Sequence, residues 1–367
     1  MTTVVICIDG FDPEYMDACE TPNLDEIGRR GFSSVGVSMM PSVTNVNNVS
    51  VVTGLYPESH GINSNYRLVR ETGEEVYMES GEDILSQTLF QKARETGRRS
   101  ALVTAKDKLR TLLGDGATFS VSSERPPESV VAAVGEPPEI YSLEVNGWVV
   151  RAAAHLMARS PDELDVVYIA TTDYGMHTYA PDEPESRRHM AILDEVIGEL
   201  VEAQPQATLL ITADHGMSQK TRMVDLRSQL SRFGIRGDPV PIIKDKYTVH
   251  HSNLGGSIFV YLGDPDDQTE AVKILGEVPG VEEAMPASEA ASRFRLHPDR
   301  MGDVYVTGDP DSVFGDPSQV EMPPRLRSHA SLHETRVPII GHNGDFQDFT
   351  LSENRDVGRF VHERVLN

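Results

Sequence analysis

The chain has 367 residues, with 33 Lys and Arg against 57 Asp and Glu and a formal charge of −24 at pH 7; so negative a surface repels phosphate polymers and anionic lipid, which argues against nucleic acid or membrane as partners. An apolar fraction of 39% and a charged fraction of 25% belong to a globular chain and argue against wholesale disorder, and the length fits one large α/β domain with a smaller insertion, or two domains. Two cysteines, Cys7 and Cys19, are too few for a disulfide framework or a thiolate metal site.

In chain order, Val4 to Ile8 reads as a first strand ending at Asp9-Gly10. The run is too short for a signal peptide and lacks its basic flank, and no stretch approaches the roughly 20 apolar residues of a spanning helix, so a cytoplasmic, reducing location is expected. Thr21-Pro22 is a cap followed by the favoured first-turn proline, with Gly31 closing that helix. Pro41 to Ser50 places hydroxyls where a helix would start, and Gly54 stands where it would stop. Glu82 to Glu95 has helical periodicity, Ser100 to Thr104 is a strand, and the Ser-, Glu- and Pro-rich stretch Ser122 to Pro138 reads as a surface excursion and not a strand. Val166 to Thr171, the helix Pro184 to Glu202 and the strand Thr208 to Thr212 follow, and Ile258 to Leu262 and Val304 to Thr307 continue the alternation. Such repetition predicts an α/β fold, a mainly parallel central sheet with helices on both faces. Between Asp238 and Arg300 the strand, helix, strand unit Ser257 to Leu262, Thr269 to Val278 and Val281 to Met285 predicts a small α+β cap, inserted as residues 238–300 into a core of residues 1–237 and 301–367.

Ligand sites of open α/β sheets lie beyond the carboxyl ends of the strands. There the chain has Asp9, Asp173 with His177 four residues on, and Asp214-His215-Gly216. One Asp at a strand exit is ordinarily a turn former. Three of them, two accompanied by His, make a donor set of carboxylate oxygens and imidazoles suited to a pair of divalent cations. His177 shares a side with Asp173 if the loop coils as one helical turn. A further histidine is expected from His329, His333 or His342, and spacing does not choose among them.

A hydroxyl at the helix start after Pro41 can act as a nucleophile beside cations, although an N-cap role alone explains it too. Downstream, Asn63 and Asn65 offer amides to a phosphoryl oxygen. Lys106 and Lys108 are two of only seven lysines; if extension continues past the strand they face one way, which suggests an anionic substrate. A second Lys-x-Lys, Lys244 and Lys246, precedes Tyr247 and His250-His251 in the cap.

Taken together, Ile8-Asp9-Gly10, Pro41 to Asn45, Thr53-Gly54, His60-Gly61-Ile62, Thr104 to Arg110, Thr171 to Tyr174, Thr212 to Met217, His250-His251, Asp299 to Asp303 and Leu326 to His329 resemble the alkaline phosphatase superfamily, in its branch of nucleotide pyrophosphatases and phosphodiesterases. The runs Ala105 to Arg110 and Thr171 to Tyr174 make the chain most similar to the phosphonoacetate hydrolases within that branch. The resemblance implies one zinc held by Asp173, His177 and His329 and a second held by Asp9, Asp214 and His215, with Thr44 as nucleophile touching the second. Manganese or iron also suits such carboxylate-rich donors. It further implies that Asn65 holds a phosphoryl oxygen and that Lys106 and Lys108 bind the carboxylate of a small anionic phosphonate, whose carbon–phosphorus bond is cleaved to acetate and phosphate. Val46 and Ala330-Ser331 stand where the family has Pro and Gly-Gly. The rival readings are a phosphodiesterase or pyrophosphatase on the same metals and an inactive scaffold, and a homodimer is left open.

Overall fold

The computed structural model describes residues 2–70, 72–159 and 164–367. Among these, seven strands form the main sheet: β1 (Thr3–Cys7), β2 (Phe32–Val37), β3 (Ser100–Thr104), β4 (Phe119–Ser122), β5 (Val166–Ala170), β6 (Thr208–Thr212) and β7 (Arg336–His342), in the order β2-β7-β6-β1-β5-β3-β4. The run from β6 to β4 is parallel, and β7 is antiparallel to both β6 and β2. The predicted α/β architecture is the one observed.

Parallel strands covered on both faces read as unbroken apolar runs, and every residue of β1, β3, β5 and β6 is buried. Alternation sorts β1 between two cores. Val5 and Cys7 pack toward the helix Thr44–Thr53, while Val4, Ile6 and Ile8 pack toward the helices Glu144–Arg159 and Pro184–Ala203. Cys7 pairs with both Ala170 and Thr212, and Thr104 with Ala170, so four strands end level and deliver their following loops to one edge.

Several expectations are corrected. Ile258 to Leu262 and Val304 to Thr307 do not extend the parallel sheet. They belong to a separate antiparallel sheet, in the order Gly237–Pro241, Ser257–Leu262, Val304–Gly308, Val281–Pro286, over its own apolar cluster around Val260, Leu275 and Val304. The helix expected over Glu82 to Glu95 is broken, because two capping boxes, Ser80 with Asp83 and Thr88 with Gln91, start a short turn and then the helix Leu89–Glu95. The excursion after Ser122 holds a helix, Glu128–Val134. Thr21 makes no cap bond; the Asp194 carboxylate accepts from Asn23 N and Leu24 N instead. No helix among the described residues is long and apolar enough to cross a membrane.

Candidate metal centre and active site

The level strand ends determine what meets. Asp9 lies two residues beyond β1, Asp173 three beyond β5, Asp214 two beyond β6 and Lys106 two beyond β3. Local bonds aim them: Asp9 N donates to Thr171 Oγ1 (2.8 Å), while Gly10 N and His215 N both donate to Asp214 Oδ1 (3.1 and 3.0 Å). After Asp173 the chain coils into the short helix Tyr174–Thr178, so His177 returns over it, with Nε2 2.9 Å from Asp173 Oδ2. His215 Nε2 is 3.4 Å from Asp9 Oδ1 and 3.7 Å from Asp214 Oδ2, and His329 Nε2 is 3.9 Å from Asp173 Oδ2. All six groups are buried and form one cluster. His329 is thus the histidine that joins it. His333 pairs with Glu282 (2.8 Å) near the surface, and His342 ends β7.

The outer nitrogens of the three imidazoles settle their tautomer. His177 Nδ1 lies 2.6 Å from Arg327 O, His215 Nδ1 2.9 Å from Gly216 O and His329 Nδ1 2.7 Å from Ser42 O. A carbonyl only accepts, so each Nδ1 carries a hydrogen and each ring turns its Nε2 inward. Lone pairs facing carboxylates at these distances repel unless a proton or cation lies between them. Zinc-type histidine ligands are oriented in this way by partners behind the ring. Among buried polar atoms, Asp9 Oδ1 and His177 Nε2 have no hydrogen-bond partner. The clusters Asp9-Asp214-His215, Asp173-His215-His329 and Asp173-His177-His250 each bring donor atoms within 4.8 Å of one another, so these residues fit divalent ions. His250, from the short helix Thr248–His251, joins them unannounced by the ligand set that the resemblance implied.

Charge follows from crowding. Burial, with Asp173 and Asp214 nearby, holds the Asp9 carboxyl well above its ordinary range, and burial with Asp173 beside it pushes Asp214 up to about 6. Burial acts the same way on Asp173, but the Lys106 ammonium group overcomes it and holds that carboxyl well below the usual range. Burial pushes the His329 imidazole well below its ordinary range. The site is short of positive charge.

Thr44 opens the helix Thr44–Thr53, with Oγ1 3.4 Å from His215 Nε2, so the predicted helix start and its Gly54 stop both hold. Asn65 Oδ1 accepts from Asn45 N (3.2 Å) beside it, leaving the NH2 end of that amide to donate. Asn63 is occupied elsewhere, pinning His297 and Arg300 O.

The lysines share a neighbour, the Tyr247 ring, though not by extension. The chain turns into the helix Asp107–Leu113 directly after Lys106, because Asp107 N finds the Glu124 carboxylate (2.6 Å) and helical bonds replace the strand. Lys106 Nζ lies 2.8 Å from Asp173 Oδ1 and 3.4 Å from Asp9 Oδ2, whereas Lys108 pairs with Asp245. Both ammonium groups flank the ring of Tyr247, at 5.6 and 5.4 Å from its centroid, with Lys246 at 5.1 Å. Lys244 turns to Tyr66 OH (2.9 Å).

Sequence reasoning missed Asn48. Its Nδ2 donates to Thr44 O (3.0 Å) and Asp214 Oδ2 (3.2 Å), and its Oδ1 accepts from Tyr168 OH (2.8 Å). Its position one helical turn after Thr44 was the available signal. Arg327 was missed as well: donating to Met176 O (2.9 Å) and Met217 O (3.0 Å), it ties together the segments that carry His177 and His215.

Residues 3–333 match the family described as type I phosphodiesterase / nucleotide pyrophosphatase. Two crystal structures of phosphonoacetate hydrolase from Sinorhizobium meliloti 1021, in complex with phosphonoformate and with phosphonoacetate, are similar over 100% of this chain and 96% of theirs, with TM-scores of 0.91 and 0.92 at 32% and 31% identity. An uncharacterised pyrophosphatase/phosphodiesterase of Schizosaccharomyces pombe is 27% identical over 59% of this chain and 45% of its own length. Ectonucleotide pyrophosphatase/phosphodiesterase family member 3 of Rattus norvegicus is 26% identical over 66% of this chain and 28% of its own. The chain therefore spans less than half the length of those two curated relatives. On the match across nearly the whole chain, it belongs to the type I phosphodiesterase / nucleotide pyrophosphatase family, a metal-dependent hydrolase branch of the alkaline phosphatase superfamily.

Proposed function

We propose that this hydrolase cleaves the carbon–phosphorus bond of phosphonoacetate, giving acetate and phosphate, with two divalent cations, zinc foremost, at the Asp and His cluster. The observation that carries the reading is Lys106, a buried ammonium group 2.8 Å from Asp173 Oδ1, facing the same centre as the imidazoles, with Lys108 across the Tyr247 ring. The full-length likeness to a hydrolase crystallised with phosphonoacetate supports it.

When bound, such ions neutralise the attacking and leaving sides of a displacement at phosphorus. Asp173, His177 and His329 would hold one, and Asp9, Asp214 and His215 the other. The protein's own groups do the rest. Thr44 Oγ1 forms a bond to phosphorus as the phosphorus–carbon bond breaks, and Asn65 Nδ2 donates to a phosphoryl oxygen. The released electron pair passes to carbon and delocalises into the adjacent carboxylate as an enediolate. Lys106 and Lys108 stabilise that charge more strongly in the transition state than in the bound substrate. The hydrogen that Thr44 gives up balances the one taken up at carbon to complete acetate, and water then cleaves the phosphothreonine, one of its hydrogens restoring the Thr44 hydroxyl and its oxygen leaving with phosphate.

The test is a screen of the purified, zinc-supplemented protein for phosphate release from phosphonoacetate and for nitrophenol release from a bis-nitrophenyl phosphate diester. Phosphonoacetate turnover that a Thr44→Ala variant lacks is the expected result. Turnover of the diester alone would overturn it in favour of a phosphodiesterase on the same site.

A further inference from the structure

His250 belongs to the connection between the strands Gly237–Pro241 and Ser257–Leu262 of the smaller sheet, yet its side chain is only 1% exposed and stands inside the core's cluster. Its Nε2 lies 3.5 Å from Asp173 Oδ1, and its ring centroid 4.9 Å from that of His177. The rings of Tyr141 and Tyr174, with centroids 5.6 and 6.2 Å away, wall it in on other sides.

Neither ring nitrogen of His250 has a hydrogen-bond partner. Its neighbour is the opposite case: His251 donates from Nε2 to Asp245 Oδ1 (3.0 Å) and accepts at Nδ1 from Asn253 N (2.9 Å). A buried polar group left without a partner is destabilising, so it calls for a role. Two adjacent histidines on one short helix thus have different tasks: His251 anchors the segment through the carboxylate that also holds Lys108, and His250 presents a lone pair to the cavity. The donor atoms of Asp173, His177 and His250 lie within 4.8 Å of one another, close to the spacing of donors sharing one ion.

We infer that His250 is a further protein ligand to the ion held by Asp173 and His177, so that this connection of the smaller sheet is fastened over the reaction centre by coordination. This rests on the two-cation reading of the site. Zinc accepts the added donor because such sites expand to five-coordinate geometry.

Metal-depleted full-length wild type, His250→Ala, His250→Gln and, as reference, His177→Ala are titrated with Zn2+ against a chromophoric chelator, and the cobalt-substituted forms are recorded in the visible. Far-ultraviolet circular dichroism selects the folded variants. The expected result is two ions in the wild type, and in the His250 variants one ion at wild-type affinity and one bound at least about 10-fold more weakly, with altered cobalt bands. Two ions at wild-type affinity with an unaltered cobalt spectrum in either folded His250 variant overturns the inference while leaving the two-cation reading intact; a raised KM in that case would assign the imidazole to the substrate. A wild type that binds no ion overturns both.

Discussion

Asn48 Nδ2 donates to Asp214 Oδ2 at 3.2 Å while also reaching Thr44 O at 3.0 Å, so one amide fixes a carboxylate of the Asp and His cluster against the peptide of Thr44, the proposed nucleophile. Tyr168 OH holds the other end of that amide, and all of these groups are buried. Replacing Asn48 by Leu keeps the volume but removes the link. We expect kcat to fall about 10–100-fold with the fold retained. Steady-state kinetics beside a melting curve checks this, and an unchanged kcat would make Asn48 a packing residue only.

Lys106 and Lys108 are expected to separate two activities. Phosphonoacetate needs its carboxylate charge neutralised and a phosphodiester does not. Lys106→Met with Lys108→Met should therefore lower kcat/KM for phosphonoacetate by about 10²–10³-fold, in line with the loss of an oxyanion donor, and diester hydrolysis far less. Equal losses on both substrates would place the lysines in metal-site assembly instead.

The buried pair Lys220 and Glu334, with Nζ to Oε1 at 2.9 Å, locks the turn that follows His329. The Glu334 carboxylate also accepts from Ser218 and Ser331, and its carbonyl accepts from Gly216 N (2.7 Å) beside His215. Lys220→Met strands a buried charge and should destabilise by roughly 3–5 kcal/mol in urea unfolding. Adding Glu334→Gln should recover much of that loss, and additive losses would deny the coupling.

His60 supplies a pH dependence remote from the metal cluster. Burial lowers its pKa to about 3, and Ser50 Oγ lies 2.8 Å from its Nε2. The unfolded chain takes up the proton near pH 6.5 and the folded one only near pH 3, so this contribution is complete above about pH 6.5 and is lost as pH falls toward 3. Between pH 6 and pH 5 the wild type should lose roughly 1 kcal/mol through this residue, and His60→Asn should flatten that part of the profile. Urea midpoints across the interval decide.

The strand exits were legible because buried parallel strands are continuous apolar runs that stop at a polar residue, as Val4 to Ile8 does at Asp9. Which sheet a strand joins is not encoded in its period, so Ile258 to Leu262 and Val304 to Thr307 could not be placed in the smaller antiparallel sheet beforehand. Long-range partners escaped for the same reason: nothing local links Asp194 to the start of the helix Pro22–Arg30, or Tyr168, which looks like core, to Asn48. Asn48 itself was in reach through its helical spacing from Thr44. At Glu82 to Glu95, periodicity lost to two local capping boxes that the residues also spelled out.

The acceptors behind the three clustered histidines His177, His215 and His329, namely Arg327 O, Gly216 O and Ser42 O, belong to the main chain. A carbonyl cannot be deleted by exchanging a side chain, so the aim of those rings is insulated from most mutation. Lys106, Lys108 and Asn65 act through their side chains, so exchanging one removes its group from the cavity outright. Ring orientation and side-chain chemistry are thus set by separate parts of the chain, so the one can be kept while the other is changed.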